Sequence, residues 1–153
     1  NEVVGEKDNV YVCGDFIWPG IDVSLYLSRL RGHICLVPGD HDDILSYDGF
    51  DNVVVVDKIH EVQARGQIAI ICSHYPIWRW RKSHYNSRHI YGHLHVGSMD
   101  IGKSVCVSVE QHNYYPISSL QLEQLMMKCP DNPNLIRKDN GCQTAITEAG
   151  APV

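Results

Sequence analysis

The sequence predicts an α/β fold in which strands and helices pack in layers. Short runs of β-branched and aliphatic residues, most of them bounded by Gly or Pro, recur along the chain and are typical of buried strands. Segments with helical spacing of apolar residues lie between the first two runs and after the last one. The chain has 153 residues, which favours a single domain with a core that needs no disulfide bonds.

The first half of the chain alternates between strand and helix patterns. Strands are predicted over residues 10–13, 33–37, 52–57 and 59–64. Apolar residues along 21–30 predict a helix between the first two strands, and Gly32 ends it. Residues 1–5 have the pattern of a last helical turn closed by Gly5, so we expect the sequence to begin inside a structural element.

Strands dominate the second half of the chain until a final helix. They are predicted over residues 68–72, 89–91 and 104–110, and residues 76–86 are predicted to form a loop or lid. Ser118 or Ser119 caps the final helix, whose buried stripe is predicted to comprise Leu120, Leu122, Leu125 and Met126. These elements predict a domain over residues 1–128 and an irregular C-terminal tail over 129–153.

Composition narrows the class of protein. The formal net charge is −5, which argues against a general nucleic-acid binder, because such domains usually carry a basic excess. Six cysteines are present without the C-x-x-C spacing of a zinc finger, a pattern that suits a reducing compartment better than a secreted disulfide scaffold. No apolar stretch has the length of a transmembrane helix. We therefore expect a cytoplasmic protein with no membrane partner.

Four segments that follow predicted strands carry residues that metals bind. They are Gly14-Asp15, Gly39-Asp40-His41-Asp42, Ser73-His74 and Gly92-His93-Leu94-His95. Ligand-binding loops in parallel and mixed sheets lie at the carboxyl ends of the strands, where one site can collect all four segments. The order and placement of these segments predict a metal site.

The residue types indicate which metals and which chemistry the site would support. Asp15 and Asp40 offer carboxylate oxygens, and three histidines offer ring nitrogens: His74, His93 and His95. Such mixed sets suit divalent Mn, Fe, Zn or Ni. His93 and His95 would face the same side of an extended segment and address one cluster. Two cations about 3.5–4 Å apart would clamp a phosphoryl group for displacement by hydroxide.

Residues beside the predicted ligands suggest further roles. His41 neighbours Asp40 and is predicted to protonate a leaving oxygen, while Asp42 is predicted to orient the His41 ring. The segment 78–82 mixes tryptophans with cations. It is interpreted either as an exposed loop or as a lid whose Arg79 and Arg81 bind substrate phosphate, and base stacking is the weaker alternative.

The five remaining histidines fit no ligand position, and we interpret them as surface or packing residues: His33, His60, His84, His89 and His112.

The series of motifs resembles that of calcineurin-like metallophosphoesterases, especially the small phage and bacterial branch. The family pattern runs D-x-H, G-D, G-N-H-D/E, H and G-H-x-H, and the likeness covers roughly residues 1–128. It implies a two-sheet sandwich flanked by helices, two divalent ions, and hydrolysis of phosphodiesters or phosphomonoesters by a metal-bound hydroxide. Asp15 would bridge the ions; Asp40, His74 and His93 would complete one position, and His95 would serve the other. His41 would act as acid or phosphate-binding group.

The chain departs from the family pattern in two ways. Asp40 stands where the family has Asn, which adds one negative charge. The D-x-H motif would lie before Asn1, so we expect a missing first strand and an incomplete second metal position. A truncated, non-catalytic member of the fold, acting as a binding or assembly module, is therefore the alternative. Its unpaired strand edge would permit a homo-oligomer.

Overall fold

The computed structural model describes residues 1–136 and contains two sheets and two short α-helices. The strands are β1 Asn9–Cys13, β2 His33–Val37, β3 Val53–Val55, β4 Ile59–Val62, β5 Ile70–Ser73, β6 Arg88–Tyr91 and β7 Ser104–Cys106. The helices are α1 Ser24–Leu27 and α2 Ser119–Lys128, and three 3₁₀ turns span Ile44–Tyr47, Ser83–Tyr85 and Val109–His112. The α/β class is confirmed in this coarse form.

The first sheet contains three parallel strands in the order β1-β2-β3. Its register places Cys13 opposite Val37, so β1 and β2 end at the same level. The second sheet has the order β4-β5-β6-β7, and only β4 runs antiparallel to its neighbour. Here Ser73 lies opposite Tyr91, so β5 and β6 also end together. Four strand ends that precede predicted ligands therefore come in two aligned pairs.

One hydrophobic cluster joins the two sheets. Its buried residues come from the ends of strands in both sheets and from α2: Cys13, Val37, Cys72, Ile90 and Met126. A second cluster packs α1 and the first 3₁₀ turn against β2 through Leu27, Leu36 and Tyr47. Because the first cluster lies directly behind the ends of β1, β2, β5 and β6, the loops that follow these strands meet over a packed base.

The predicted helix over residues 21–30 is wrong in length, because only Ser24–Leu27 is α-helical. Asp22 accepts a hydrogen bond from the Ser24 N–H, and the Ser28 hydroxyl donates to the Ser24 carbonyl. Side chains that bond to nearby backbone in this way compete with helix continuation. Residues 1–5 contain no helical turn, contrary to expectation.

The final helix begins as predicted, with Ser118 in a capping box with Gln121. Its predicted stripe is partly wrong, since Leu120 is exposed whereas Met126 is buried. Residues 129–136 contain no helix or strand, but Asn132 is buried and its side-chain amide donates to the Ser83 and Ser87 carbonyls. The rest of the predicted tail, 137–153, lies outside the described residues, and the domain boundary stays a prediction.

Candidate metal centre

Three glycines let the ligand-bearing loops approach one another closely. A Cβ atom on Gly39 would lie 2.3 Å from Asp15 Oδ1, and one on Gly14 would lie 2.4 Å from His74 Nδ1. A Cβ on Gly92 would lie 2.3 Å from the Cys13 carbonyl oxygen. Only glycine fits at such positions. Glycine is therefore needed at these three positions because a side chain there would keep the converging loops apart.

Asp15, His74 and His93 form a compact group of metal-ligand atoms. His74 Nε2 lies 3.4 Å from Asp15 Oδ2 and 3.2 Å from His93 Nδ1. One ligand atom from each of the three residues falls within 4.8 Å of the other two. Within residues 1–136 this is the one group of three or more His, Cys, Asp or Glu side chains with that spacing.

The backbone fixes which nitrogen His74 presents to this group. Its ring is 3% exposed, and Nδ1 lies 3.0 Å from the Cys13 carbonyl oxygen. A carbonyl only accepts, so Nδ1 bears the hydrogen of the neutral ring, and the lone pair of that tautomer is on Nε2. Metal-binding histidines are commonly held by such a bond from the second nitrogen. The strand end of β1 thus orients the His74 ring, which follows β5.

Two of the three residues have backbones in the left-handed region. The φ angle is +53° at Asp15 and +60° at His93, a conformation that costs a non-glycine residue about 1 kcal/mol or more. Such outliers persist where the surroundings fix them, and they concentrate at functional sites. At Asp15 the fixing contact is visible, since its N–H donates to Asp42 Oδ2 at 2.8 Å.

Asp42 organises the loops, which differs from its predicted role of orienting the His41 ring. Its Oδ2 accepts from the N–H groups of Asp15 and Gly39, at 2.8 and 2.9 Å. Its Oδ1 accepts from the Phe16 N–H at 2.9 Å and from the Tyr47 hydroxyl at 2.8 Å. Four donors from two loops occupy both oxygens, so the structure pairs this carboxylate with backbone and Tyr47.

Asp40 borders the group and is held by Tyr75. Asp40 Oδ2 lies 3.9 Å from His74 Nε2 and accepts a hydrogen bond from the Tyr75 hydroxyl. That bond, with smaller contributions from His74, His93 and His41, lowers the pKa of Asp40. The same contact raises the pKa of Tyr75. Asp40 is therefore a carboxylate at neutral pH and can act as a fourth donor, through an oxygen. Sequence reasoning missed Tyr75, although it directly follows His74.

His95 does not join the group, and the extended segment predicted for it is wrong. The left-handed His93 turns the chain, so His93 and His95 do not alternate along a strand. The His95 side chain is 79% exposed, and its Nδ1 lies 2.7 Å from Glu110 Oε1. The predicted second metal position thus has no three-residue group among the described residues.

His41 lies at the edge of the site. Its N–H donates to Asp15 Oδ1 at 3.0 Å, which ties the second loop to the first. Its ring stacks on Trp18, with centroids 4.2 Å apart. The backbone of His41 thus supports Asp15, while its ring stays available for the predicted role as acid.

The basic segment 78–82 is anchored in the protein more than the sequence indicated. Trp80 is buried, and its Nε1 donates to the Ser87 carbonyl at 3.1 Å. Arg81 lies 3.2 Å from Glu61 Oε2, and Lys82 pairs with the same carboxylate. These contacts place the Arg81 charge against β4, while Arg79 is exposed. A phosphate-binding role for Arg79 and Arg81 stays a prediction.

A pocket of about 200 Å³ adjoins the group on the side of Asp40 and His74. Its walls include Pro38, Ile59, Tyr75 and Ile77, and among the described residues Lys58 is the one lysine or arginine that lines it. Sequence reasoning did not single out Lys58. The antiparallel pairing that brings Ile59 opposite Ser73 places it there.

No protein-family model and no curated protein matches this chain. It is similar to a protein of unknown function from Aquifex aeolicus, whose crystal structure superposes with a TM-score of 0.59. The two chains are 27% identical, and the match covers 81% of this chain and 79% of the other. The likeness extends over most of both chains, so a similar overall fold occurs in a solved structure.

None of the helices in residues 1–136 is long and apolar enough to cross a membrane.

Proposed function

We propose that the chain is a metal-dependent phosphoesterase of the calcineurin-like type. One observation carries the proposal: His74 Nε2 lies 3.2 Å from His93 Nδ1 and 3.4 Å from Asp15 Oδ2. Two ligand atoms bound about 2.1 Å from one ion at a tetrahedral angle lie about 3.4 Å apart. Both distances from His74 Nε2 therefore match the spacing of ligands that share a cation, and the three donor atoms lie within 4.8 Å of one another.

The donor set also fits a first-row divalent cation by its chemistry. Two imidazole nitrogens and one carboxylate suit Mn, Fe, Zn or Ni, and Asp40 offers a second carboxylate at the border. The bond from His74 Nδ1 to the Cys13 carbonyl supports this assignment because it leaves Nε2 free for the ion. A bound divalent cation would neutralise charge on phosphoryl oxygens and acidify a water molecule.

The chain's own residues supply the remaining requirements of phosphoester hydrolysis. Asp42 and the three glycines hold the ligand loops in place before substrate arrives, which limits reorganisation during reaction. We assign to His41 the proton that the leaving oxygen must gain when the phosphorus–oxygen bond breaks. The stack of His41 on Trp18 would set the orientation of that ring.

The order of motifs supports the family assignment within this proposal. Each ligand in the group follows a strand end, as the resemblance implies: Asp15 after β1, His74 after β5 and His93 after β6. Because the domain is small, we favour a phosphodiester bond in a nucleotide or nucleic acid over a monoester as the substrate. The two-sheet arrangement is compatible with the sandwich that the family would require.

Hydrolysis of bis(4-nitrophenyl) phosphate with added Mn²⁺ tests the proposal. We expect turnover that chelator abolishes and that Asp15→Asn and His93→Ala each reduce by at least about 100-fold, since each removes a ligand. Asp51→Asn, at an exposed position outside the group, is the matched control and should retain activity. Turnover that persists in both ligand variants contradicts the proposal. So does a wild type that shows no turnover with any one of Mn, Fe, Zn and Ni, each tried in turn.

A second candidate is a non-catalytic assembly module, favoured by the edge of β1. Within residues 1–136 this strand pairs with β2 alone. An open edge can accept a strand from another chain, including a second copy. Light scattering of the purified chain distinguishes the two candidates: a stable dimer without any phosphoesterase activity favours the module.

A further inference from the structure

We propose that the pocket beside Asp40 and His74 is the subsite for one ring-sized apolar group of an organic phosphate, with Lys58 binding the phosphoryl oxygens. This inference rests on the proposed function, whose site it deepens. The pocket shares Asp40 and His74 with the candidate metal centre, so a ligand in it would lie against the ligand residues.

The size of the pocket sets the size of the group. Its volume of about 200 Å³ is below the roughly 300–1,000 Å³ of pockets that enclose drug-sized ligands. One aromatic ring or one base fits such a space better than a whole dinucleotide does. The subsite would therefore hold one organic substituent of the ester and leave the rest outside.

The walls of the pocket favour an apolar, flat substituent. Pro38, Ile77, Ile59 and Tyr75 line the pocket, and Ile59 and Tyr75 are 59% and 50% exposed. The Tyr75 hydroxyl is engaged by Asp40, so its ring is held in one orientation. An immobilised aromatic ring can stack on a flat group with little loss of conformational entropy.

Lys58 supplies the charge that a phosphoryl group needs. It is exposed at the pocket, and it makes no hydrogen bond or ion pair with another of the described residues. By contrast, Arg81 and Lys82 are paired with Glu61. The carboxylates Asp15 and Asp40 would repel an anion. The unpaired Lys58 ammonium would offset part of that repulsion for a bound phosphoryl group.

Binding of phenylphosphonate and methylphosphonate to the Zn²⁺-loaded protein tests the inference. Neither compound has a phosphoester bond to hydrolyse, and they differ only in the ring. We expect titration followed by NMR to show shifts at residues 73–77 and about tenfold tighter binding of phenylphosphonate. Lys58→Ala should weaken both compounds about tenfold, because it removes a charge-assisted hydrogen bond. Lys7→Ala, which removes an exposed lysine elsewhere, should change the affinity for either compound by no more than about twofold.

The preference for the ring is tested separately. Ile59→Ser removes an apolar wall and should reduce the preference for phenylphosphonate about threefold. Val54→Ser is the matched control, since Val54 is 58% exposed and Ile59 is 59% exposed, and it should leave the preference unchanged. Equal binding of the two phosphonates by the wild type, or unchanged affinity in Lys58→Ala, overturns the inference.

The two proposals fail in different ways. If phenylphosphonate binds preferentially but no phosphoester is hydrolysed, the subsite stands and the proposed function is wrong. If bis(4-nitrophenyl) phosphate is hydrolysed in a ligand-dependent way but neither Lys58→Ala nor Ile59→Ser alters phosphonate binding, the proposed function stands and the subsite is wrong.

Discussion

Two buried histidines, His74 and His89, share their burial and a backbone contact but differ in what their second ring nitrogen meets. Each ring is almost fully excluded from solvent, and each places Nδ1 3.0 Å from a backbone carbonyl, that of Cys13 or Ile71. The other nitrogen distinguishes them. His89 Nε2 accepts the Ile77 N–H at 3.1 Å, whereas His74 Nε2 faces Asp15 and His93.

The comparison shows that burial and a bond to a carbonyl do not identify a ligand histidine. Both features fix the ring and its tautomer, but a metal needs the lone pair of the second nitrogen. At His89 the backbone occupies that lone pair, so the residue is structural. At His74 the neighbours are acceptors and another imidazole, an arrangement that a cation would stabilise.

Replacement of each histidine by Gln tests this difference and has the largest expected effect. His74→Gln should reduce affinity for Mn²⁺ or Zn²⁺ by at least about 100-fold, because the group loses a ligand atom. His89→Gln should change metal affinity by no more than about threefold. It should lower the free energy of unfolding by about 2 kcal/mol, since the buried Ile71 carbonyl and Ile77 N–H lose well-aligned hydrogen bonds. Calorimetric metal titration and urea unfolding measure the two quantities. Equal loss of metal affinity in both variants would break the distinction.

The pH dependence of stability provides a second test. Burial lowers the pKa of His89 from 6.5 to about 4. The unfolded chain therefore binds a proton between pH 6.5 and 4 that the folded chain does not, so stability rises with pH across that window. The free energy of unfolding should fall by about 3 kcal/mol between pH 7 and 4 from this residue alone.

His89→Gln should remove that contribution, and His33→Gln, at an exposed position, should retain it. Urea unfolding of the metal-free protein at several pH values measures the difference. If the slope is the same in wild type and His89→Gln, the ring is not the neutral, buried group described here.

The loop glycines provide a third test, which concerns the packing around His74. Gly92 donates its N–H to the His74 carbonyl at 3.0 Å, and a Cβ here would collide with the Cys13 carbonyl. Gly92→Ala should lower the free energy of unfolding by about 2–3 kcal/mol because the strand ends must separate. At Gly97 no other atom of residues 1–136 lies within 4 Å of the added Cβ, so Gly97→Ala should cost only about 1 kcal/mol for its positive φ. Similar losses in both variants would show that the loops are not tightly packed.

The neighbouring carboxylates Asp42 and Asp43 provide the fourth test, which has the smallest expected effect. Asp42→Asn leaves one oxygen where four donors need two, so stability should fall by about 2 kcal/mol and metal affinity about tenfold. Asp43→Asn, at an exposed neighbouring position, should change stability by less than about 0.5 kcal/mol. Equal unfolding curves for the two variants would contradict the organising role of Asp42.

The order of the ligands could be predicted from sequence because it depends on local patterns. Short apolar runs followed by Asp15, His74 and His93 are visible without a structure, and all three meet in the cluster. The strand predicted over 33–37 is confirmed for the same reason. The strand predicted over 104–110 is wrong in length, since it ends at Cys106 and a 3₁₀ turn begins at Val109. Features that depend only on the spacing of apolar residues and on position after a strand could be predicted from the sequence.

The failures depended on single backbone angles and on long-range pairing. His95 was assigned by strand alternation, which the positive φ of His93 breaks. Asp42 was assigned by proximity to His41, but its partners come from a loop 27 residues earlier and from its own loop. Lys58 reaches the site only because β4 pairs with β5 in one particular register. None of these features leaves a signal in local composition.

The central claim is that Asp15, His74 and His93 bind one cation. NMR of the histidine ring nitrogens during a Zn²⁺ titration tests it most directly, because it shows which nitrogen of which ring binds. We predict that His74 Nε2 and His93 Nδ1 shift together to saturation at one equivalent, that His89 is unchanged, and that Asp15→Asn abolishes the effect. Shifts confined to His95 or His112, or no saturable shift at all, would contradict the claim.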